Sequence, residues 1–365
     1  MQADPSLSAV LKIAPKGTSK GDFSKVHYSG SDPDCWWSWN QCMSPKHPNI
    51  EEDIHTCQEP ATWGITFDDG PYCGQKTLLD FLKQQKVTGT FFLIGANVIA
   101  SPVEAQDIFN GGNELCGHTW SHNYMTSLTN RQAFAEIYYT KKAMKEVVGI
   151  TSRCWRAAYG DVDDRIRAIG SFLDTRLVLW DADTDDWRLD EGASRTSIQN
   201  NFNAILRNAS TSHGTIVLDH SISGPVIDMF ISEFPKIAQA FKNIMPALSC
   251  NNITAPYSER EVTYPDFQGY VAGVRPNHTA STDANLGGGK LLLGDINNFE
   301  QGGTTPVAVA NATTTTNGGA NNSTGQQGTT ASNTKNTGGA GRVSGWGGLA
   351  LVGGGAGVVG MMALV

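Results

Sequence analysis

Two adjacent carboxylates, Asp68 and Asp69, end an apolar run, and two histidines, His118 and His122, stand four residues apart further along the chain. Histidines at that spacing share one face of a helical turn and converge on a single ion. A carboxylate oxygen completes a three-ligand set and leaves one position open for water or substrate. That is the arrangement of a catalytic zinc site rather than a structural one. The second aspartate is then free to act as a base beside the metal. Metal-assisted hydrolysis is the chemistry these residue types and spacings point to.

The elements that must position them follow from the patterning. Short β-branched or aromatic runs at 63–67, 90–94, 177–180 and 215–218 read as strands. Helix-like stretches lie between and around them at 76–86, 131–148, 163–172, 197–206 and 226–244. This βα alternation predicts an α/β fold with a mainly parallel sheet and helices outside, either barrel or open. In such folds catalytic residues gather at the C-terminal ends of strands. Asp68 and Asp69 follow the first run, Asp181 and Asp183 follow Trp180, and Asp219 and His220 follow Leu218, so three polar clusters at three strand exits read as one site.

Composition divides the chain and excludes some functions. Residues 1–60 form an irregular extension, 61–250 the candidate catalytic domain and 251–301 a second extension. Residues 302–342 are Thr, Asn, Gly, Ala and Ser with almost no apolar anchor, the composition of a disordered stalk. The formal net charge is −8 with no basic block, which argues against nucleic acid as a partner. None of the seven cysteines forms a CxxC pair, so a thiolate zinc site has no support. Asn-x-Ser/Thr sites at Asn208, Asn252, Asn277, Asn311, Asn321 and Asn322 indicate a secreted glycoprotein. Residues 343–365 end in an uncharged apolar tail preceded by small residues, the pattern of a GPI-attachment signal rather than a spanning helix. Residues 1–30 hold no long apolar run, so a secretory leader is expected to have been removed already.

Five blocks in order carry a family resemblance: 66–70 (TFDDG), 118–122 (HTWSH), 156–160 (RAAYG), 183–187 (DTDDW) and 218–220 (LDH). The chain resembles the carbohydrate esterase family 4 (NodB-like) polysaccharide deacetylases, and most of all the fungal chitin deacetylases. The resemblance implies a distorted (β/α) barrel with fewer or less regular strands than eight. It implies that Asp69, His118 and His122 bind Zn2+, Co2+ or another divalent ion. It gives Asp68 the role of general base, paired with Arg156. His220 would be the general acid, with Asp183 orienting its imidazole. The Tyr159 backbone N–H would stabilise the oxyanion, and Trp187 and Leu218 would wall the pocket for the acetyl methyl. The family usually has proline where this chain has Ala158, which leaves the loop carrying Tyr159 less constrained. A disulfide joining Cys57 to Cys250 resembles one in related fungal enzymes and would tie the ends of the domain together. Cys35 and Cys42 make a plausible local pair, and Cys73, Cys116 and Cys154 leave one over.

The expected reaction is hydrolysis of N-acetyl groups from N-acetylglucosamine residues of chitin or partly acetylated chitosan, releasing acetate. The expected setting is extracellular, a monomer on the fungal cell wall and outer plasma membrane face. Two alternatives stand beside it: a catalytically impaired glycan-binding protein, and a deacetylase of another acetylated polysaccharide. The aromatic cluster Trp36, Trp37 and Trp39 reads as packing rather than as a sugar-stacking surface.

Overall fold

The computed structural model describes residues 5–276 and 278, apart from 208, 210 and 211. The 302–342 stalk, the 343–365 tail and five of the six glycosylation sites (Asn208, Asn277, Asn311, Asn321 and Asn322) lie outside the described residues. Asn252 is exposed.

Nine strands form one curled sheet among the described residues: β1 Thr56–Cys57, β2 Thr62–Gly70, β3 Thr90–Leu93, β4 Glu114–Gly117, β5 Cys154–Trp155, β6 Arg176–Leu177, β7 Ala182–Asp183, β8 Gly214–His220 and β9 Asn243–Pro246. The order is β1-β8-β2-β3-β4-β5-β6, with β7 beside β8 and β9 beside β2. Every pairing is parallel except β1 with β8. The result is a half-barrel whose ends meet through a single parallel bridge, Ile54 to Val178. The expected distorted barrel is therefore present, with several strands only two residues long.

Alternation along β2 sorts its side chains. Trp63, Ile65 and Phe67 join Phe91, Leu93, Phe202 and Phe230 in the largest buried cluster. Thr66 and Asp68 point the other way, and both are hydrogen-bonded by Arg156. Beneath them a second cluster of Phe92, Val178, Ile216 and Met245 fills the lower interior.

The helices match the apolar periodicity closely where it is long. Asn130–Val148 starts on a capping box between Thr129 and Gln132 and ends at Gly149, whose φ of 92° suits glycine. The stretch expected to be helical over 226–244 is interrupted: the helix spans Gly224–Ala240, and Asn243–Pro246 pairs with β2. Pairing to an open backbone edge overrides local periodicity there. The run 177–180 likewise divides between β6 and the turn before β7.

Three disulfides are formed. Cys57–Cys250 joins the domain ends as expected, Cys35–Cys42 closes a local loop, and Cys116–Cys154 ties β4 to β5. Cys73 is the free, exposed thiol.

Candidate active site and metal centre

Two consecutive residues of a regular strand point to opposite faces, so Asp68 and Asp69 should diverge. They do not, because the β2–β3 register shifts between Phe67 and Gly70 and Asp69 adopts φ 71°. That irregularity turns both carboxylates to one side. His118 Nε2 lies 3.5 Å from Asp68 Oδ2 and 3.3 Å from Asp69 Oδ1. Asn97 Nδ2 donates to the Asp69 carbonyl at 3.0 Å and steadies the bulge.

The histidines converge by a different route from the one their spacing suggests. They do not share a helical turn. His118 follows β4 directly, and the segment to His122 is irregular, with Thr119 at φ 61° and His122 at φ 56°. Left-handed conformations in non-glycine residues cost about 1–3 kcal/mol each and persist where surroundings impose them. Glu136, on the 130–148 helix, imposes this one: its Oε2 accepts the amides of Trp120 and Ser121 at 2.7 and 2.8 Å. The loop position of that turn left no periodic signal in the sequence, and Glu136 reads there as an ordinary helical charge.

The donor set fits a divalent cation. His118 Nδ1 lies 3.0 Å from the Arg156 carbonyl, a contact that requires an N–H on Nδ1 and leaves the Nε2 lone pair for a metal. Asp69 Oδ1 and the Nε2 atoms of His118 and His122 face one another within 4.8 Å. Asp69 Oδ1 is buried and receives no well-directed hydrogen bond, although His122 Nε2 is 3.1 Å away. Burial alone would raise the Asp69 carboxyl, but the two imidazoles hold it well below the usual carboxylate range. Burial depresses His118, and the carboxylates of Asp68 and Asp69 more than reverse that effect. Both directions report a local field that favours positive charge.

Arg156 is wholly buried, and its guanidinium makes four hydrogen bonds. Nη1 donates to Asp68 Oδ1 at 2.7 Å and to Thr66 Oγ1 at 2.9 Å, while Nε and Nη2 donate to the carbonyls of Val178 and Leu179 at 3.0 Å. Its plane lies over Phe92, 3.9 Å from the ring centroid. The arginine therefore fixes the Asp68 side chain from one end while Asp68 Oδ2 faces His118.

His220 ends β8, paired in register with Asp68 on the neighbouring parallel strand. The expected orienting residue, Asp183, does not touch it. Asp183 is exposed and accepts the Asp185 amide at 2.8 Å. Asp186 takes that position, with Oδ1 2.6 Å from His220 Nδ1 and Oδ2 accepting the His220 amide at 2.8 Å. The correction has a conformational cause: Asp185 is left-handed at φ 54°, which reverses the chain into a 3-10 turn and carries Asp186 inward. Burial depresses His220, but the Asp186 carboxylate prevails and pushes the imidazole up to about 10. Neighbouring Asp219 points away; burial and the Asp186 charge raise its carboxyl well above the usual range.

Leu218 shares the face of His220, two residues earlier on β8, and is buried; Trp187 is half-buried beside Asp186. Tyr159 lies next to the metal-ligand candidates, its ring centroid 4.4 Å from that of His122. Its φ of 59° sits inside the Ala158–Gly160 turn, and Ala157 before it is extended at φ −72°, ψ 140°, the region a following proline would select. The loop thus has that geometry with Ala158. Trp36 is buried, as expected for packing, whereas Trp39 is 49% exposed.

The fold and these side chains together define a class, and comparison with known proteins agrees. Residues 55–178 match the polysaccharide deacetylase family, and this stretch is a polysaccharide deacetylase domain. The chain is 43% identical over 274 residues to chitin deacetylase 2 of Cryptococcus neoformans var. grubii serotype A, covering 73% of this chain and 60% of that protein. It is 39% identical over 246 residues to the chitin deacetylase of Amylomyces rouxii, covering 66% of this chain and 58% of the relative. The chain thus spans about three fifths of the length of these curated relatives. The solved structure of the chitin deacetylase from the fungal pathogen Colletotrichum lindemuthianum shares the fold, with TM-score 0.51 at 21% identity over 55% of this chain and 92% of that one.

Proposed function

We propose that the protein is a metal-dependent deacetylase that hydrolyses N-acetyl groups of N-acetylglucosamine residues in chitin or partly acetylated chitosan. The convergence of Asp69 Oδ1 with the Nε2 atoms of His118 and His122, between Asp68 and His220, carries this reading. The chitin deacetylases to which the chain is 43% and 39% identical support the substrate class.

A divalent ion held by Asp69, His118 and His122 would supply Lewis acidity and make water a better nucleophile near neutral pH. Asp68, locked by Arg156, accepts the proton of the attacking water. The Tyr159 N–H lies on the strained turn beside His122 and stabilises the oxygen on which charge develops. His220, kept protonated by Asp186, donates a proton to the departing amine. Trp187 and Leu218 border the acetyl methyl. Zn2+ suits two imidazoles and a carboxylate, as do Co2+ and other divalent ions.

The proposed place of action is the fungal cell wall and outer membrane face, through a GPI anchor. Three disulfides support an oxidising compartment, and no helix among the described residues is long and apolar enough to cross a membrane. The test is acetate release from chitin oligomers and partly acetylated chitosan, after chelation and after zinc is restored. Release that returns with metal supports the proposal, and no release from any glycan despite bound metal refutes it.

A further inference from the structure

The loop that carries His122 and the turn that carries Tyr159 both hold residues in the left-handed region, and both are tied to residues outside themselves. Tyr124, two positions after His122, stacks on Tyr159 with ring centroids 4.0 Å apart and planes 7° from parallel. Phe23, from the N-terminal extension, abuts the same tyrosine edge-on at 5.4 Å. The extension also accepts the Tyr124 amide through the Ser19 carbonyl at 3.2 Å. Gly21, at φ 79°, lets that backbone pass close: a Cβ there would stand 2.6 Å from the Tyr124 ring. The four rings of Phe23, Tyr124, Tyr159 and His122 thus form a continuous column from the extension to a metal-ligand candidate.

A second tie runs parallel to the column. Asp161 is fully buried two residues after Tyr159. One of its oxygens accepts Trp36 Nε1 and Ser38 Oγ, at 2.9 and 2.7 Å, from the extension. The other accepts the amide and hydroxyl of Thr126, both at 2.8 Å, from the loop after His122. The extension therefore grips both active-site loops at once. Ala158 imposes no covalent restraint on the turn, so Tyr159 is held in its left-handed conformation by non-covalent contacts, the ring column among them.

We propose that Tyr124 is a positioning residue, and that through it the N-terminal extension sets the placement of the Tyr159 turn and of His122. The inference rests on the deacetylase reading for its kinetic consequence, but its effect on metal binding does not. The ring rather than the hydroxyl is what acts, so Tyr124→Phe keeps the function and Tyr124→Leu removes it while preserving apolar bulk.

The experiment uses the full chain. Apo protein is titrated with zinc against a chromophoric chelator, and acetate release from chitin oligomers is measured in parallel. Tyr124→Leu is expected to weaken zinc affinity about 10-fold and to lower kcat about 10- to 100-fold with KM little changed. Tyr124→Phe is expected within about 2-fold of wild type in both. Ala158→Pro, which stiffens the turn covalently, is expected to restore at least about 5-fold of the lost kcat in the Tyr124→Leu background and to be nearly neutral alone. If Tyr124→Leu does not fold, Phe23→Leu loosens the same column and is carried through the same measurements. Unchanged zinc affinity and kcat in folded Tyr124→Leu, or equal losses in Tyr124→Phe, would overturn the proposal. A wild-type protein that binds zinc but releases no acetate refutes the deacetylase reading instead, and the zinc titration then still decides the role of Tyr124.

Discussion

Asp186 grips His220 at two points: one carboxylate oxygen lies 2.6 Å from the ring Nδ1 and the other accepts the residue's own amide at 2.8 Å. This fixes the ring plane and leaves Nε2 as the atom available to substrate. It also holds the imidazole protonated up to about pH 10. Removing the anion lowers the histidine's pKa, so its protonated fraction falls first at alkaline pH. Asp186→Asn is therefore expected to shift the alkaline limb of kcat/KM downward by about one unit or more, and to lower kcat about 10- to 100-fold at pH 8. Asp183 accepts the Asp185 amide and makes no hydrogen bond to His220, so Asp183→Asn is expected within about 2-fold of wild type. The pH profiles of the two variants check this directly.

Arg156 predicts a combined effect on stability and rate. Its charge is buried against the Asp68 carboxylate, which is itself 2% exposed. Replacing Arg156 with Met strands that carboxylate and leaves the Val178 and Leu179 carbonyls without their donors. A loss of about 3–5 kcal/mol in unfolding free energy is expected, read by urea denaturation, together with acetate release below detection. A fall of less than about 1 kcal/mol would mean that the pair contributes little.

Metal should stabilise as well as activate. Ligand that binds only the folded state adds about 2.7 kcal/mol at 100-fold excess over Kd. Zinc added to chelated protein is expected to raise Tm, and His122→Ala should abolish that increment while leaving the metal-free Tm nearly unchanged. A zinc-dependent rise that survives in His122→Ala would place the ion elsewhere.

The Cys57–Cys250 bridge closes a loop of 193 residues. Chain-entropy arguments assign such a loop about 4–5 kcal/mol. The double variant Cys57→Ser/Cys250→Ser is expected to lose about 2–5 kcal/mol of stability while retaining its metal ligands. Thiol titration of the folded wild type should find one reactive group, Cys73.

Sequence alone determined which residue types meet here. Strands ending in Asp68-Asp69 and in Asp219-His220 could be read from β-branched runs followed by polar residues, because strand exits are where a parallel sheet leaves side chains free. The long helix over 131–148 was legible from its periodicity. Two-residue strands such as β1 and β5 were not, because so few residues show no alternation; sheet partners define them. Tertiary structure decided the geometry of the site. Whether Asp68 and Asp69 face one way depended on a bulge in β2 opposite β3, and whether the histidines converge depended on Glu136 from a helix beyond them. Which aspartate orients His220 depended on a left-handed Asp185 that turned Asp186, not Asp183, inward. Each of these outcomes is set by backbone conformation under long-range restraint, and residue order carries no local signal of it.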